Sequence, residues 1–351
     1  MRITRLDHAD ADGVRGCYDV WMAAHAVDDP LSPRLSLPVF RHWLRQGWES
    51  DPSETWVAVD EATGETIGWY RMELPDLENR HRASGTPTVR PASRRRGAGT
   101  ALLRHEVERA RANGRTVLRG GALVGSAGEA FARQAGAEAS LVDARRVQDL
   151  RKIPPGQVGS LREKAARAAD GYSLVSWTGP TPEEHLARVA DGFNAMNDAP
   201  HAADREDDIW DAQRVRERAD AAVREGCLRG YSVAAIAEPT GEMAGLTQVY
   251  VDPEYPEWGH QGVTAVTRAH RGHRLGLLVK AAMLEWLADA EPKLEQIETG
   301  NADANEHMIS INEALGFEIL DPGWAWLEMP VTRAADDDVL AAGERAGTGE
   351  P

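Results

Sequence analysis

The chain has 351 residues, a length typical of two domains, and 42% of its residues are apolar, as in a globular protein. Its formal charge of −16 argues against a general nucleic-acid binder, and no run of 18 apolar residues predicts a membrane span. Two cysteines are too few for a disulfide framework or a cysteine metal cluster, and the first residues lack the apolar core of a signal peptide, so we expect a cytoplasmic protein without a metal.

Residues 1–150 predict one α/β unit. A short strand comes first, and two helices follow it, with a turn at residues 28–30 between them. Two alternating segments flank a Thr-Gly turn as a hairpin, and a further strand ends at Val89. A loop, a helix to about residue 113, a strand, another helix and an extended hairpin to about residue 150 complete the unit. The predicted bounds are 2–6, 55–60, 65–72 and 116–119 for strands, and 10–25, 38–48 and 127–134 for helices.

A second unit with the same order of elements is predicted over residues 171–331. Residues 151–170 contain a Pro-Pro-Gly break and then a connecting helix, and we take them as the linker. The tail at 332–351 has few apolar groups and is predicted to be disordered. The predicted bounds are 172–177, 231–237, 244–251, 263–267, 296–299, 317–320 and 324–330 for strands, and 161–169, 183–196, 209–223, 275–288 and 305–315 for helices.

The two units repeat one another in sequence. Residues 61–68 and 238–245 share two Glu, one Thr and two Gly at a constant offset of 177 residues. The arginine-rich loops that begin at Arg94 and Arg271 have the same offset. Two separate motifs in one register predict a tandem duplication.

Each loop has the composition of an anion site. Glycine lets the backbone approach a ligand closely, and the helix predicted after each loop directs its unpaired N–H groups toward that ligand. Phosphate is the usual occupant of such a site. Neither loop has the Gly-x-x-x-x-Gly-Lys pattern of a nucleoside triphosphate site, and neither follows the first strand of its unit as a dinucleotide fingerprint would.

With Arg-x-x-Gly-x-Gly after a fourth strand and a later Asn…Gly-Phe helix in the second half, the chain resembles the GCN5-related N-acetyltransferases (GNATs), once in each half. The second loop departs from the pattern, because Arg274 replaces its first glycine. The resemblance implies an α/β fold (α+β, three layers) with two tandem GNAT-like domains and mixed, mostly antiparallel sheets. It also implies acetyl-CoA as co-substrate, with the pyrophosphate on the loop amides and the pantetheine along the preceding strand. The residues implied to bind it are Val89, Arg94, Arg95, Arg96, Gly97, Ala98, Gly99 and Thr100 in the first unit, and Val266, Arg271, Gly272, His273, Arg274, Leu275, Gly276, Leu277 and Asn305 in the second.

Polar groups where chemistry would occur are retained only in the second unit. Asn301 and Asn305 match the motif that contacts the pantetheine, although Asn305 is equally a helix cap. Asn312 stands where the family often has a tyrosine that protonates the leaving thiolate. An amide has no titrating proton, so water or direct protonation would substitute. The first unit has Ala132 at this position, and we therefore assign catalysis to the second unit. The alternatives are that both units are active or that both only bind.

A base must accept the proton of the attacking amine, and the family's base lies on or near the fourth strand. Glu257 and His260 are the candidates, and each could equally be an ordinary loop residue. The acidic run at 204–211 is typical of a solvated helix start. Its acids and Trp210 could instead hold a cationic amine.

The sequence thus favours an N-acetyltransferase that acts by direct transfer on the amine of a small molecule or specialised metabolite, with a cationic acceptor as the weak preference of the acidic charge. The alternative is a non-catalytic acyl-CoA-binding or sensing protein. We expect no nucleic-acid or membrane partner, and a monomer or homodimer.

Overall fold

The computed structural model describes residues 1–48, 50–199, 205–302 and 305–331, so the predicted disordered tail lies outside the described residues. The chain forms two compact units. The first unit comprises Met1–Val142 together with Pro322–Pro351, and the second comprises Asp143–Asp321. No described helix is both long and apolar enough to cross a membrane.

The elements from the N-terminus to residue 149 follow the predicted order. Side chains cap three of the helices, because Asp10, Ser36 and Ser126 each accept a hydrogen bond from a backbone N–H of the first turn. The elements are β1 (Arg2–Arg5), α1 (Ala11–Asp28), α2 (Leu37–Gln46), β2 (Ser53–Val59), β3 (Thr66–Glu73), β4 (Arg82–Gly85), β5 (Thr88–Val89), α3 (Ala98–Ala112), β6 (Val117–Leu123), α4 (Ala127–Gln134) and β7 (Glu138–Asp149).

The elements after residue 149 broadly repeat this order, with a continuous strand in place of β4 and β5 and a divided helix in place of α2. They are α5 (Gln157–Ala166), β8 (Tyr172–Thr178), α6 (Leu186–Asn194), α7 (Ala212–Arg214), α8 (Ala221–Arg224), β9 (Arg229–Ala237), β10 (Met243–Val251), β11 (Trp258–Val266), α9 (Leu275–Ala290), β12 (Gln296–Ala302), α10 (Glu306–Ala314), β13 (Phe317–Ile319) and β14 (Trp324–Pro330).

Each unit contains a mixed, mostly antiparallel sheet, as predicted. The order in the first unit is β1-β2-β3-β4-β6-β14, with β5 on β3, and only β4 and β6 are parallel. The order in the second unit is β8-β9-β10-β11-β12, followed by residues 143–149 of β7, and only β11 and β12 are parallel. Helices α3 and α9 contribute much of the apolar core of their units, through residues such as Leu102 and Val107, and Val279 and Met283.

Two strands belong to units other than those expected from their place in the sequence. Residues 143–149, predicted in the first domain, pair with β12 in the second unit. Residues 324–330, predicted in the second domain, pair with β6 in the first unit. Local breaks in the sequence predict boundaries at residues 150 and 171. Strand pairing is not readable from such breaks.

Two predicted elements differ in the structure. The extended hairpin to about residue 150 is the single strand β7. The predicted helix at 209–223 is divided into α7, a π-helical turn at Val215–Ala219 and α8. The buried carboxylate of Asp220, directly after this turn, accepts hydrogen bonds from the N–H and hydroxyl of Thr181, which ties the break to a neighbouring segment.

Candidate active site

The two predicted phosphate loops have the same backbone conformation at the offset of 177. A 3₁₀ turn precedes each loop, at Pro91–Ser93 and Arg268–His270. Two residues of each loop have positive φ, and glycine and arginine exchange places between them. The first loop has Arg95 at 60° and Gly97 at 83°, whereas the second has Gly272 at 90° and Arg274 at 57°. Helices α3 and α9 begin directly after Gly97 and Arg274.

An aspartate fixes the first arginine of each loop. The guanidinium of Arg94 bonds both carboxylate oxygens of Asp28, and its Nε donates to the carbonyl of Val89 at 3.0 Å. Likewise, Arg271 donates to Asp198 at 2.6 Å and to the carbonyl of Val266 at 3.3 Å. These arginines therefore tie each loop to the preceding strand. The hydrogen bonds from Arg268 and Arg271 lower the pKa of the Asp198 carboxyl.

The remaining loop residues leave a basic surface at each helix start. Arg95, Arg96, His273 and Arg274 are exposed. The first N–H groups of a helix have no partner within the helix, so they and these cations suit a phosphate group. Residues at the offset of 177 also lie at similar distances from one another beside the two loops. A Cβ on Gly99 would lie 3.9 Å from Val89, and one on Gly276 would lie 3.7 Å from Val266.

Two parallel strands separate beside each loop. In the first unit, β4 pairs with β6 only over three residues that end at Ser84. In the second unit, β11 pairs with β12 only over three residues that end at His260. Among the described residues no strand pairing continues beyond these points, although in the first unit the Thr86 hydroxyl still accepts from the N–H of Gly121 at 3.0 Å. We call the unpaired stretch the gap, and in the second unit a Cβ on Gly300 would meet nothing within 4 Å. An extended ligand can hydrogen-bond to the unpaired backbone of such a strand.

The strand along this gap differs between the units. In the second unit the register of β10 with β11 shifts by one residue between Thr247 and Val249, which marks a β-bulge in β11. Tyr250 lies against the bulge, and a Cβ on Gly262 would come within 2.6 Å of its ring, so glycine is required there. In the first unit the register does not shift. Pro87, which has no N–H, interrupts the strand instead.

His260 and Glu298 form a pair at the point where β11 and β12 separate. Their registered positions are opposite one another, and Nδ1 of His260 lies 2.8 Å from Oε1 of Glu298. A carboxylate only accepts, so Nδ1 donates and Nε2 is left to accept a proton. Tyr250 is the registered neighbour of His260 on β10, so its side chain lies on the same face. Burial first, and the Asp220 charge second, raise the pKa of Tyr250.

The predicted asparagines meet on the other face of the second sheet. The Asn312 amide donates to Oδ1 of Asn301 at 2.7 Å, and Asn312 is fully buried. Oδ1 of Asn312 has no hydrogen-bond partner within the described part of the chain. Asn305 caps α10 by accepting from the N–H of Met308 at 3.3 Å, so the cap interpretation is correct for it.

Two other candidates have different surroundings. Glu257 precedes β11, and its backbone carbonyl accepts from the N–H groups of Glu295 and Gln296, whereas its side chain has no recorded bond in the described residues. The structure thus brings His260, and not Glu257, to a carboxylate partner. Trp210 is buried, and its ring contacts the ring of Phe193 and the Arg214 guanidinium, which lies 4.3 Å from the Trp210 centroid.

The acidic run therefore suits the helix-start interpretation better. Asp211 caps α7 by accepting from the N–H of Arg214 at 2.8 Å. Trp210 is buried and its ring already contacts Phe193 and the Arg214 guanidinium, which disfavours a cationic amine there. Asp204, at the start of this run, lies outside the described residues.

The first unit contains apolar residues where the second has these polar groups. A cavity of about 80 Å³ lies between its separated strands, and Pro87, Leu103 and Phe131 are among its lining residues. By strand register and helix position, the counterparts in the second and first units are His260 and Ser84, Glu298 and Arg119, Asn301 and Ala122, and Asn312 and Ala132.

Sequence reasoning missed Glu298, the aspartates Asp28 and Asp198, and the buried Lys280. Glu298 and the aspartates come close to their partners only through strand register and helix packing. Lys280 did leave a signal, since it is the one charged residue in the apolar run from Leu275 to Leu284. Burial lowers the pKa of Lys280 to about 7.

Comparison with known proteins agrees with this geometry. Residues 17–122 match the acetyltransferase (GNAT) family. A solved tandem GNAT protein from the clavulanic acid biosynthesis pathway is similar at 30% identity and a TM-score of 0.76, over 95% of this chain and 99% of that chain. A GCN5-related N-acetyltransferase from Sphaerobacter thermophilus shares the fold at 16% identity and a TM-score of 0.63, over 95% and 97% of the two chains. No curated protein sequence matches the chain.

Proposed function

Because the chain belongs to the GNAT family of acetyltransferases, as a tandem member, we propose that it transfers an acetyl group from acetyl-CoA directly to the amine of a small molecule. The observation that carries this proposal is the gap between β11 and β12, with the bulged strand and the His260–Glu298 pair on one side and the Arg271 loop at its end. The similar tandem protein is from the biosynthesis of a small molecule, which supports a small acceptor.

In the proposed reaction the second unit performs the chemistry. His260 accepts the proton of the attacking amine at Nε2, and Glu298 holds the imidazole and stabilises its protonated form. The loop amides and exposed cations at residues 271–277 bind the pyrophosphate. Asn301 and Asn312 orient the groups beside the thioester. The acetyl carbonyl carbon then forms its bond to nitrogen as the bond to sulfur breaks.

For the first unit we propose binding of coenzyme A or a structural role. Its loop has the conformation of the second loop, but apolar side chains line the gap beside it. Ser84 and Arg119 provide no base for an amine proton. We also propose a cytoplasmic location, without a nucleic-acid or membrane partner.

Turnover of acetyl-CoA with a panel of small amines, cationic and neutral, tests the function. We expect release of free thiol with at least one amine, and a large decrease for Asn301→Ala. Ala122, its counterpart in the first unit, gives the matched control Ala122→Ser, which should leave the rate unchanged. Stoichiometric binding of acetyl-CoA without turnover over the whole panel would instead favour a binding or sensing protein.

A further inference from the structure

Lys280 is a buried amine, and no described residue of the second unit is its counter-ion. The residue is 3% exposed, and it makes no hydrogen bond or ion pair within the described part of the chain. Its Nζ lies 4.7 Å from the centroid of the Phe317 ring. A lysine without a partner is rarely buried, since desolvation disfavours its charge. The lysine therefore destabilises the fold where a leucine would not.

The position of Lys280 connects it with the gap between the strands. Its counterpart at the offset of 177 is Leu103, which lines the cavity between the separated strands of the first unit. The counterpart of Phe317 is Ala137, since each follows the glycine that ends its helix, and Ala137 lines the same cavity. By this correspondence, Lys280 and Phe317 line the gap between the separated strands of the second unit.

Other polar groups face the same side of the second sheet. Ile297, Gln148 and Phe317 are registered across three neighbouring strands and share a face. Asn301 lies four residues beyond Ile297 on β12, so it is on that face too. Oε1 of Gln148, like Oδ1 of Asn312, is buried without a partner among the described residues. Burial of these polar atoms without hydrogen-bond partners would lower the stability of the fold unless a ligand bonds to them.

The charged groups on the surrounding elements are already paired. Arg146 of β7 lies 3.6 Å from Glu313 of α10, Lys152 lies 3.3 Å from Glu318 of β13, and Arg162 of α5 bonds Glu285 of α9. Glu298 of β12 is paired with His260. Hence no charged side chain among the described residues compensates Lys280, and its protonation depends on burial and on what enters the gap.

We propose that Lys280 is the proton donor to the sulfur that leaves from acetyl-CoA, in place of the tyrosine that Asn312 replaces. When the carbon–sulfur bond breaks, its electron pair remains on sulfur, and Nζ of Lys280 gives a proton to form the thiol. The neutral amine regains its proton from solvent, to which His260 releases the proton taken from the attacking amine. This inference rests on the proposed function, because it requires a leaving thiolate.

Lys280→Met tests the proposal, since methionine is of similar length and suits an apolar site. We expect kcat to decrease about 10²- to 10³-fold, within the range for loss of a general acid, while KM for acetyl-CoA changes less than threefold. In the wild type kcat should decrease at alkaline pH, because Lys280 donates only while protonated. This alkaline limb of the pH profile should be absent in Lys280→Met. Leu103→Met in the first unit is the matched control and should retain the kcat of the wild type.

Lys280→Arg separates proton donation from charge. Arginine keeps its proton throughout the working pH range, so this variant should be as slow as Lys280→Met. Wild-type kcat in Lys280→Arg, or a kcat within threefold in a folded Lys280→Met that binds acetyl-CoA, would overturn the proposal. Thermal melting and calorimetric binding of acetyl-CoA establish that each variant is folded. An inactive wild type would contradict the proposed function itself.

Discussion

The two units share a backbone and differ in the side chains that face the gap between their separated strands. Both have the 3₁₀ turn, the two left-handed residues and the arginine–aspartate pair at the loop. Among the described residues, only the second has a bulge, a histidine–carboxylate pair and a hydrogen-bonded pair of asparagines beside the gap. The loop geometry thus persists where the groups suited to chemistry are absent. We therefore expect binding and catalysis to be separable between the two units.

Removal of the proposed base, His260, should distinguish the two units most clearly. We expect His260→Gln to lower kcat about 10²- to 10⁴-fold, because no group then accepts the amine proton. Ser84→Ala at the corresponding position of the first unit should keep kcat within twofold. Steady-state rates with acetyl-CoA in excess provide the measurement. A large decrease for Ser84→Ala would show that both units are active.

The units also differ in a buried carboxyl. Glu106 of α3 is fully buried, both its oxygens lack a hydrogen-bond partner among the described residues, and burial raises its pKa to about 8. Its counterpart at the offset of 177 is Met283. A carboxyl whose pKa is higher in the folded state retains its proton while the unfolded chain loses it. Stability should therefore fall as pH rises from 4.5 to about 8.

Glu106→Met makes the first unit resemble the second and should remove this dependence. The free energy of unfolding of the wild type should lose up to about 1.4 kcal/mol per pH unit through this group, and the variant should be more stable by a few kcal/mol at pH 8. Urea unfolding at several pH values gives the slopes. Met283→Leu serves as the control, and equal slopes for the wild type and Glu106→Met would refute the prediction.

Charge reversal at the loops tests which unit binds the co-substrate. Arg96 and Arg274 are exposed, so a glutamate at either position should not disturb the core. We expect Arg274→Glu to weaken binding of acetyl-CoA to the second unit about tenfold, roughly 1.4 kcal/mol, through repulsion of the pyrophosphate. If the first unit also binds, calorimetry should show a second site that Arg96→Glu weakens. If neither variant affects affinity, the loops are not phosphate sites.

The smallest expected change in stability concerns positions 97 and 274, where one loop has glycine and the other has arginine. Arg274 has a left-handed conformation that costs an L-residue about 1 kcal/mol, whereas Gly97 has it without this cost. Gly97→Ala should therefore destabilise the protein by about 1 kcal/mol, and Arg274→Gly should stabilise it by less than that. Chemical denaturation measures both changes. A stabilising Gly97→Ala would contradict the conformation of the first loop.

Local signals in the sequence were sufficient for the helices beside the loops and for the duplication. The end of α3 just before Gly114 and the cap at Asn305 depend on residues next to them in the chain. The pair of His260 with Glu298 depends instead on the register of two parallel strands, which no short segment encodes. Pairing between distant strands also places residues 143–149 of β7 in the second unit and β14 in the first. Local breaks in the sequence therefore could not give the domain boundaries. The π-helical turn is followed by Asp220, which accepts hydrogen bonds from the distant Thr181, and such a tertiary contact is not encoded in a short segment.

The place of β14 in the first unit has a consequence for synthesis of the protein. Its neighbour β6 ends at Leu123, but β14 begins only at Trp324, so β6 lacks its partner until the second unit has been translated. At about 5–20 residues per second, this wait lasts on the order of ten to forty seconds. We expect the nascent first unit to keep an open strand edge for that time, and therefore to depend on chaperones or on slow pairing more than its size suggests.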